Sequence, residues 1–179
     1  MTSWLSRFLT LSLSLSLSLL LLVRAAEAQG PGTVEVGAFA RYTDFDNTLG
    51  MGTTVAVGGR ASVYLGPTLA VELDAARASG NAIGHTPLHL RLVYDAALGP
   101  RVNALLGAGY VRNWYGAPFD ATDGGLSALL GMRYQLTPRL WLRLGADLDF
   151  MIHTSNDSPF PFYHGNWGLQ FGAGARLGR

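Results

Sequence analysis

Residues 140–150 read LWLRLGADLDF. Leu140, Leu142, Leu144, Ala146, Leu148 and Phe150 fall on one face of an extended chain. Trp141, Arg143, Gly145, Asp147 and Asp149 fall on the other, because strand side chains alternate with a period of two. The split is close to complete: no charge stands among the apolar positions, and three charges share the opposite face. Runs of about this length match a tilted strand that crosses a bilayer.

The same alternation recurs along the chain. Leu69, Val71, Leu73 and Ala75 alternate with Thr68, Ala70, Glu72 and Asp74. Leu88, Leu90, Leu92, Tyr94, Ala96 and Leu98 alternate with His89, Arg91, Val93, Asp95 and Ala97, and residues 126–136 repeat the pattern. Gly66-Pro67, Gly99-Pro100 and Thr137-Pro138 punctuate these runs, within the weakly repeated stretches LGPTLAVEL, LGPRVNALL and LTPRLWLRL. Between the tight turns lie longer polar or glycine-rich connections at 43–52, 77–87, 113–124 and 152–166. Eight strands follow, near 33–42, 54–65, 68–76, 88–98, 102–112, 125–136, 140–150 and 167–177. Short and long connections alternate between them.

Composition narrows the class. The chain has 179 residues, 49% hydrophobic and 14% charged, with 23 glycines and no cysteine. Globular chains average about 25% charge, so this is a poor inventory for a water-facing surface. The mean hydropathy of +0.21 argues against disorder. Absence of cysteine excludes disulfides, thiol nucleophiles, iron–sulfur clusters and Cys-ligated zinc. All 13 basic residues are Arg and net charge is +1, which is no nucleic-acid footprint. Neither a cofactor nor a metal is expected.

The first 28 residues read as an export signal. Arg7 precedes an uncharged, Leu/Ser-rich run from Phe8 to Val23, and Ala26-Glu27-Ala28 supplies a small-x-small cleavage site before Gln29. That run falls short of the roughly 20 apolar residues a spanning helix needs. The expected organisation is a signal peptide at 1–28 and one domain at 29–179. Removing Arg7, Arg24 and Glu27 leaves eleven arginines and eleven acids.

The two faces separate a soluble sandwich from a membrane barrel. In a sandwich the apolar face is the core; in an outer-membrane barrel it meets lipid and the polar face lines the lumen. With the apolar register outside, the inward charges are Glu35, Arg41, Arg60, Glu72, Asp74, Arg91, Asp95, Arg133, Arg143, Asp147, Asp149 and Arg176, six of each sign. Buried charges must be paired, and a guanidinium fork suits a carboxylate. The apolar register carries one charge, Arg112. Inward glycines (Gly37, Gly58, Gly107, Gly109, Gly131, Gly145, Gly168, Gly172 and Gly174) leave room for large side chains, with Phe39 and Trp141 also inward. Tyr42, Tyr110, Phe150 and Trp167 fall on the outward register toward the long connections, and Tyr94 and Tyr134 toward the tight turns, as interfacial girdles would. The reading is all-β: an eight-stranded antiparallel up-and-down barrel with a plugged interior.

These features resemble the small OmpA/OmpX-type outer-membrane β-barrels. Gln170-x-Gly172-x-x-Ala175-x-Leu177 resembles the last-strand signal read by barrel-assembly machineries, although the chain ends Leu177-Gly178-Arg179 instead of in Phe or Trp. The resemblance implies a bacterial outer-membrane location reached through the periplasm. It also implies membrane lipid and the assembly machinery as partners, and a monomeric, non-enzymatic protein whose four surface loops serve structural, adhesive or host-contact roles. No nucleic acid is implied, and the loop partner is unspecified.

Several residues invite a chemical reading. Glu72 with Asp74, or Asp147 with Asp149, have the spacing of an acid/base pair, but also that of a structural ion network, which is preferred. His153-Thr154-Ser155-Asn156 resembles the His-x-Ser-Asn segment of outer-membrane lipid A deacylases, implying His153 as general base and Ser155 as nucleophile. That family orients its His with a downstream Glu, and no acid follows Asp157 here. Extrapolating the alternation from Phe150 also turns His153 and Ser155 inward, so the start of a polar loop is preferred. A narrow channel for small apolar solutes is the third reading. His89 reads as a hydrogen-bonded interior residue, and His85 and His164 as loop residues without metal-spaced companions. Phe160, Phe162 and Tyr163 in the last long connection are candidate partner-binding aromatics.

Overall fold

A computed structural model describes residues 30–45, 52–78, 84–117, 120–154 and 165–177, with the backbone alone at 152–154. Eight antiparallel strands close on themselves in chain order, β8 returning to β1. They are β1 (Val34–Asp44), β2 (Thr53–Tyr64), β3 (Leu69–Ala78), β4 (His85–Ala97), β5 (Val102–Tyr115), β6 (Ala121–Gln135), β7 (Leu140–Thr154) and β8 (Asn166–Leu177). Closure removes every unpaired edge, the condition for crossing lipid with strands.

The three tight turns share one geometry. The amides of Leu65, Leu98 and Leu136 donate to the carbonyls of Leu69, Val102 and Leu140 at 2.8, 2.8 and 2.9 Å. Thr137 replaces the glycine of the other two turns. Its hydroxyl accepts from the amides of Arg139 and Leu140 at 3.2 and 3.0 Å, a local side-chain bond that makes threonine acceptable there.

Burial alternates along the strands, but the exposed side is the apolar one. Val57, Leu130, Phe171 and Leu144 are 70%, 62%, 59% and 57% exposed, whereas Arg91 and Asp74 are each 1% exposed. A globular core is thereby inverted, with hydrocarbon facing outward and charge inward. Tyr42 and Trp167 lie 5.9 Å apart on the outer face near the loop end, and both are exposed.

The strands outrun the sequence-based limits at the loop end. β4 begins at His85 instead of 88, β5 runs to Tyr115 instead of 112, β6 begins at Ala121 instead of 125, and β7 reaches Thr154 instead of 150. Ladder bonds continue there after the apolar/polar contrast fades, for instance Thr86 opposite Trp114 and Trp114 opposite Thr122. His85 is therefore a buried strand residue and not a loop residue. Residues 1–29, with the expected signal and cleavage site, lie outside the described residues, as do Ser155, Phe160, Phe162, Tyr163 and His164.

Candidate functional site

The interior is built in tiers. Nearest the tight turns, Arg133 of β6 reaches Glu35 of β1 at 3.0 Å and Asp95 of β4 at 2.5 Å. The Tyr64 hydroxyl donates to Asp95 at 2.8 Å and accepts from Arg133 at 2.8 Å. Arg176, half-buried, lies 3.5 Å from Glu35. One level up, Arg143 of β7 grips Glu72 of β3 through both terminal guanidinium nitrogens, at 2.5 and 2.9 Å, and the Ser62 hydroxyl donates to the same carboxylate at 3.2 Å. A cavity of about 10 Å³ separates these two levels, room for about one water molecule.

The largest cluster sits toward the loops. Arg91 bridges Asp74 at 2.7 Å and Asp147 at 2.8 Å. Arg41 bridges the same two carboxylates at 3.5 and 2.8 Å. His89 is fully buried, its Nδ1 3.0 Å from Asp74 and its Nε2 3.1 Å from Asp149. Ser127 donates to Asp149 at 2.6 Å, and Gln170 donates to Asp147 at 2.8 Å while accepting from Arg60. Each carboxylate here meets more than one donor, so Asp74, Asp147 and Asp149 belong to one shared ion lattice. Asp123 is a further buried acid on this register. On alternation alone it falls within the 113–124 connection.

Above the lattice, aromatic rings narrow the mouth. Phe45 meets His85 edge-on at 4.9 Å between centroids, and His85 stacks on Tyr115 at 5.2 Å. His85 Nε2 and Asn113 Oδ1 are 3.0 Å apart. All four side chains are buried.

Glycine makes this filling possible. A methyl group at Gly37 would lie 2.8 Å from Trp141, and one at Gly174 would overlap the same ring. A methyl group at Gly58 would lie 2.7 Å from Phe39, and one at Gly172 would meet Phe39 at the same distance. The Trp141 ring thus occupies space left by two missing side chains, while Phe39 sets its ring against Gly58 and its Cβ against Gly172. Arg60 lies over the Phe39 ring at 4.6 Å, a cation–π contact that helps hold the guanidinium. Val93, Leu105 and Leu129 form a small apolar cluster inside. They face inward within the pairs Leu105-Leu106 and Leu129-Leu130, where alternation alone gives no sign of an apolar interior.

His153 of β7 stands opposite Gly124, past a register shift between Gly124 and Gly125. An unbroken ladder would have set it opposite Asp123. The side chain of His153 and the whole of Ser155 lie outside the described residues. Among the described residues, no His, Cys, Asp or Glu cluster has metal-binding geometry.

The family model for the outer membrane protein beta-barrel domain matches residues 13–176. The chain belongs to that family. Solved structures with the same architecture include the N-terminal β-barrel domain of Pseudomonas aeruginosa OprF. It is 15% identical with a TM-score of 0.65, covering 83% of this chain and all of that one. OprG of P. aeruginosa is 13% identical with a TM-score of 0.60, covering 87% of this chain and all of the other. Neisserial surface protein A is 20% identical with a TM-score of 0.57, covering 81% and 95%. No curated protein matches the sequence. Membership of this family implies the bacterial outer membrane, and the exposed apolar wall of the barrel is what that location requires.

Proposed function

We propose that this outer-membrane barrel is a non-enzymatic, sealed scaffold whose wall holds four surface loops for structural, adhesive or host-contact roles. The observation that carries this reading is the ion lattice spanning the lumen from β1 to β4 and β7, in which Arg41 and Arg91 each bridge Asp74 and Asp147. Opening a pore there means separating these buried charge pairs. Small apolar solutes would also have to cross a polar constriction. By contrast, the recess of about 320 Å³ lined by Ala128, Leu130, Ala146, Leu148 and Trp167 opens on the lipid side. Planar-bilayer recording of the folded chain tests the seal: the expected result is no steady current, and a stable ohmic conductance overturns it.

A lipid A hydrolase built on His153 and Ser155 is the competing reading. Its test is Ser155→Ala followed by mass spectrometry of lipid A, and the expected profile is unchanged. Loop contacts are assigned to Phe160, Phe162 and Tyr163. Export uses residues 1–28, with the mature chain starting at Gln29; N-terminal sequencing of the membrane-extracted protein checks that position. The assembly machinery reads β8 through its Gln170-x-Gly172 pattern, and the barrel works as a monomer.

A further inference from the structure

Among the described residues, three charged side chains stand on the lipid-facing register: Asp44, Arg77 and Arg112, all toward the loop end of their strands. Arg77 is exposed between buried Ala76 and Ala78, and Arg112 alternates with Val111 and Asn113, both fully buried. Alternation alone puts only Arg112 on this face, because the third strand then ends at 76, whereas β3 runs to Ala78. Neither arginine has a carboxylate partner among the described residues. Arg112 is steadied by the Thr122 hydroxyl, which accepts from its Nη2 at 2.8 Å.

The ladder fixes how the two arginines sit. Arg112 is opposite Leu88, Leu88 is opposite Ala75, and Arg77 lies two residues nearer the loop than Ala75. Strand spacing near 4.8 Å and a rise near 3.3 Å per residue put their Cα atoms roughly 12 Å apart. Released from Thr122 on β6, Arg112 can extend back across β4 to meet an extended Arg77 on one headgroup. Below them β4 presents Leu88, Leu90 and Leu92 outward, the last two 51% and 53% exposed. Tyr110 and Trp114 flank Arg112 on the same face and are exposed, which sets this level at the membrane–water interface. Asp44 lies on β1, outside the arc between the arginines.

An outward arginine costs about 2–4 kcal/mol at the bilayer midplane and about 0–1 near the interface. The edge position makes these side chains tolerable, and phosphate makes them useful, since a guanidinium binds it bidentately. We propose that Arg77 and Arg112 clamp the phosphate groups of an outer-leaflet glycolipid headgroup, whose acyl chains lie along Leu88, Leu90 and Leu92. The apolar track directly beneath the cations favours an amphiphile over free phosphate. This site depends neither on a sealed lumen nor on the identity of any loop partner.

The test is native mass spectrometry of the folded full chain in neutral detergent, titrated with bis-phosphorylated lipid A. Wild type should retain the lipid, and the Arg77→Gln/Arg112→Gln variant should bind about tenfold more weakly or worse. Dephosphorylated lipid A should bind wild type as weakly as the intact lipid binds the variant. Arg101→Gln/Arg139→Gln, at the tight-turn end, should leave retention unchanged. Heat-modifiable gel mobility confirms that each variant is folded. Equal retention by a folded Arg77/Arg112 variant overturns the proposal, as does an equal loss in the turn-end control. Displacement of the lipid by millimolar inorganic phosphate would reassign the site to a free anion.

Discussion

The Arg143–Glu72 pair offers a direct measure of what the lumen contributes. Both side chains are almost fully enclosed, at 5% and 2% exposure, and the fork is bidentate. Replacing one partner, by Glu72→Leu or Arg143→Met, strands the other charge out of reach of bulk water. Such uncompensated charges cost about 3–5 kcal/mol, roughly two to four orders of magnitude in the folded-to-unfolded ratio. Replacing both at once removes attraction and desolvation together, and buried pairs exchanged for apolar residues of similar volume are often near neutral. The double variant should therefore lie closer to wild type than either single variant. Urea unfolding in lipid vesicles reads the difference. With a slope of about 1–3 kcal/mol per molar urea, each single change should lower the midpoint by about 1 M or more. Two outcomes refute the reasoning: single variants within about 0.5 kcal/mol of wild type, or a double variant whose loss equals the sum of the two. Either would mean that water, and not the opposite wall, solvates these charges.

Three further outcomes follow from the same geometry. Gly174→Ala should destabilise the barrel by about 1–3 kcal/mol through overpacking against Trp141, and adding Trp141→Phe should restore part of it, read as the fraction of heat-modifiable protein. Trp141→Ala alone should cost about 3–5 kcal/mol as a large-to-small change, measured by the same urea midpoint. On the outer wall, Leu130→Arg should cost about 2–4 kcal/mol and Leu136→Arg, at the tight-turn edge, about 0–1 kcal/mol. Equal costs in vesicles would place the hydrocarbon boundary elsewhere.

The strands were legible because lipid and lumen impose opposite demands on alternate residues, as in the 140–150 run. The strand ends near the loops were not. Above the membrane both faces tolerate polar or aromatic side chains, so Thr86, Asn113 and Asp123 carry no contrast from which to infer a ladder. The same blind spot hid Arg77, whose outward position follows only once β3 is known to reach Ala78. Alternation puts twelve charges on the inward register, since direction is a property of each strand alone, but it misses Asp123, a further buried acid. Which charge meets which is a property of the closed barrel, set by its width and stagger, and no spacing along the chain encodes it.

The ion pairs show what closure adds. Arg133 and Arg143 stand directly opposite each other on β6 and β7, an arrangement that is destabilising when like charges face one another. Each guanidinium instead crosses the lumen, Arg133 to Glu35 and Asp95, Arg143 to Glu72. Arg60 likewise stands opposite Asp74, yet Asp74 is taken by Arg91, Arg41 and His89 while Arg60 turns to Gln170. These contacts bear on register. A slip of one residue would put charge into lipid, so the bilayer excludes it. A slip of two keeps every face correct, and lipid cannot detect it. Moving β7 by two against β8 would carry Trp141 from Gly174 to Gly172, where the Ala38 carbonyl and the Phe39 Cβ already crowd the position. It would also draw Arg143 away from Glu72. The outer wall thus sets the strand faces, while the rings, glycines and cross-lumen charges select one register among those the membrane would accept.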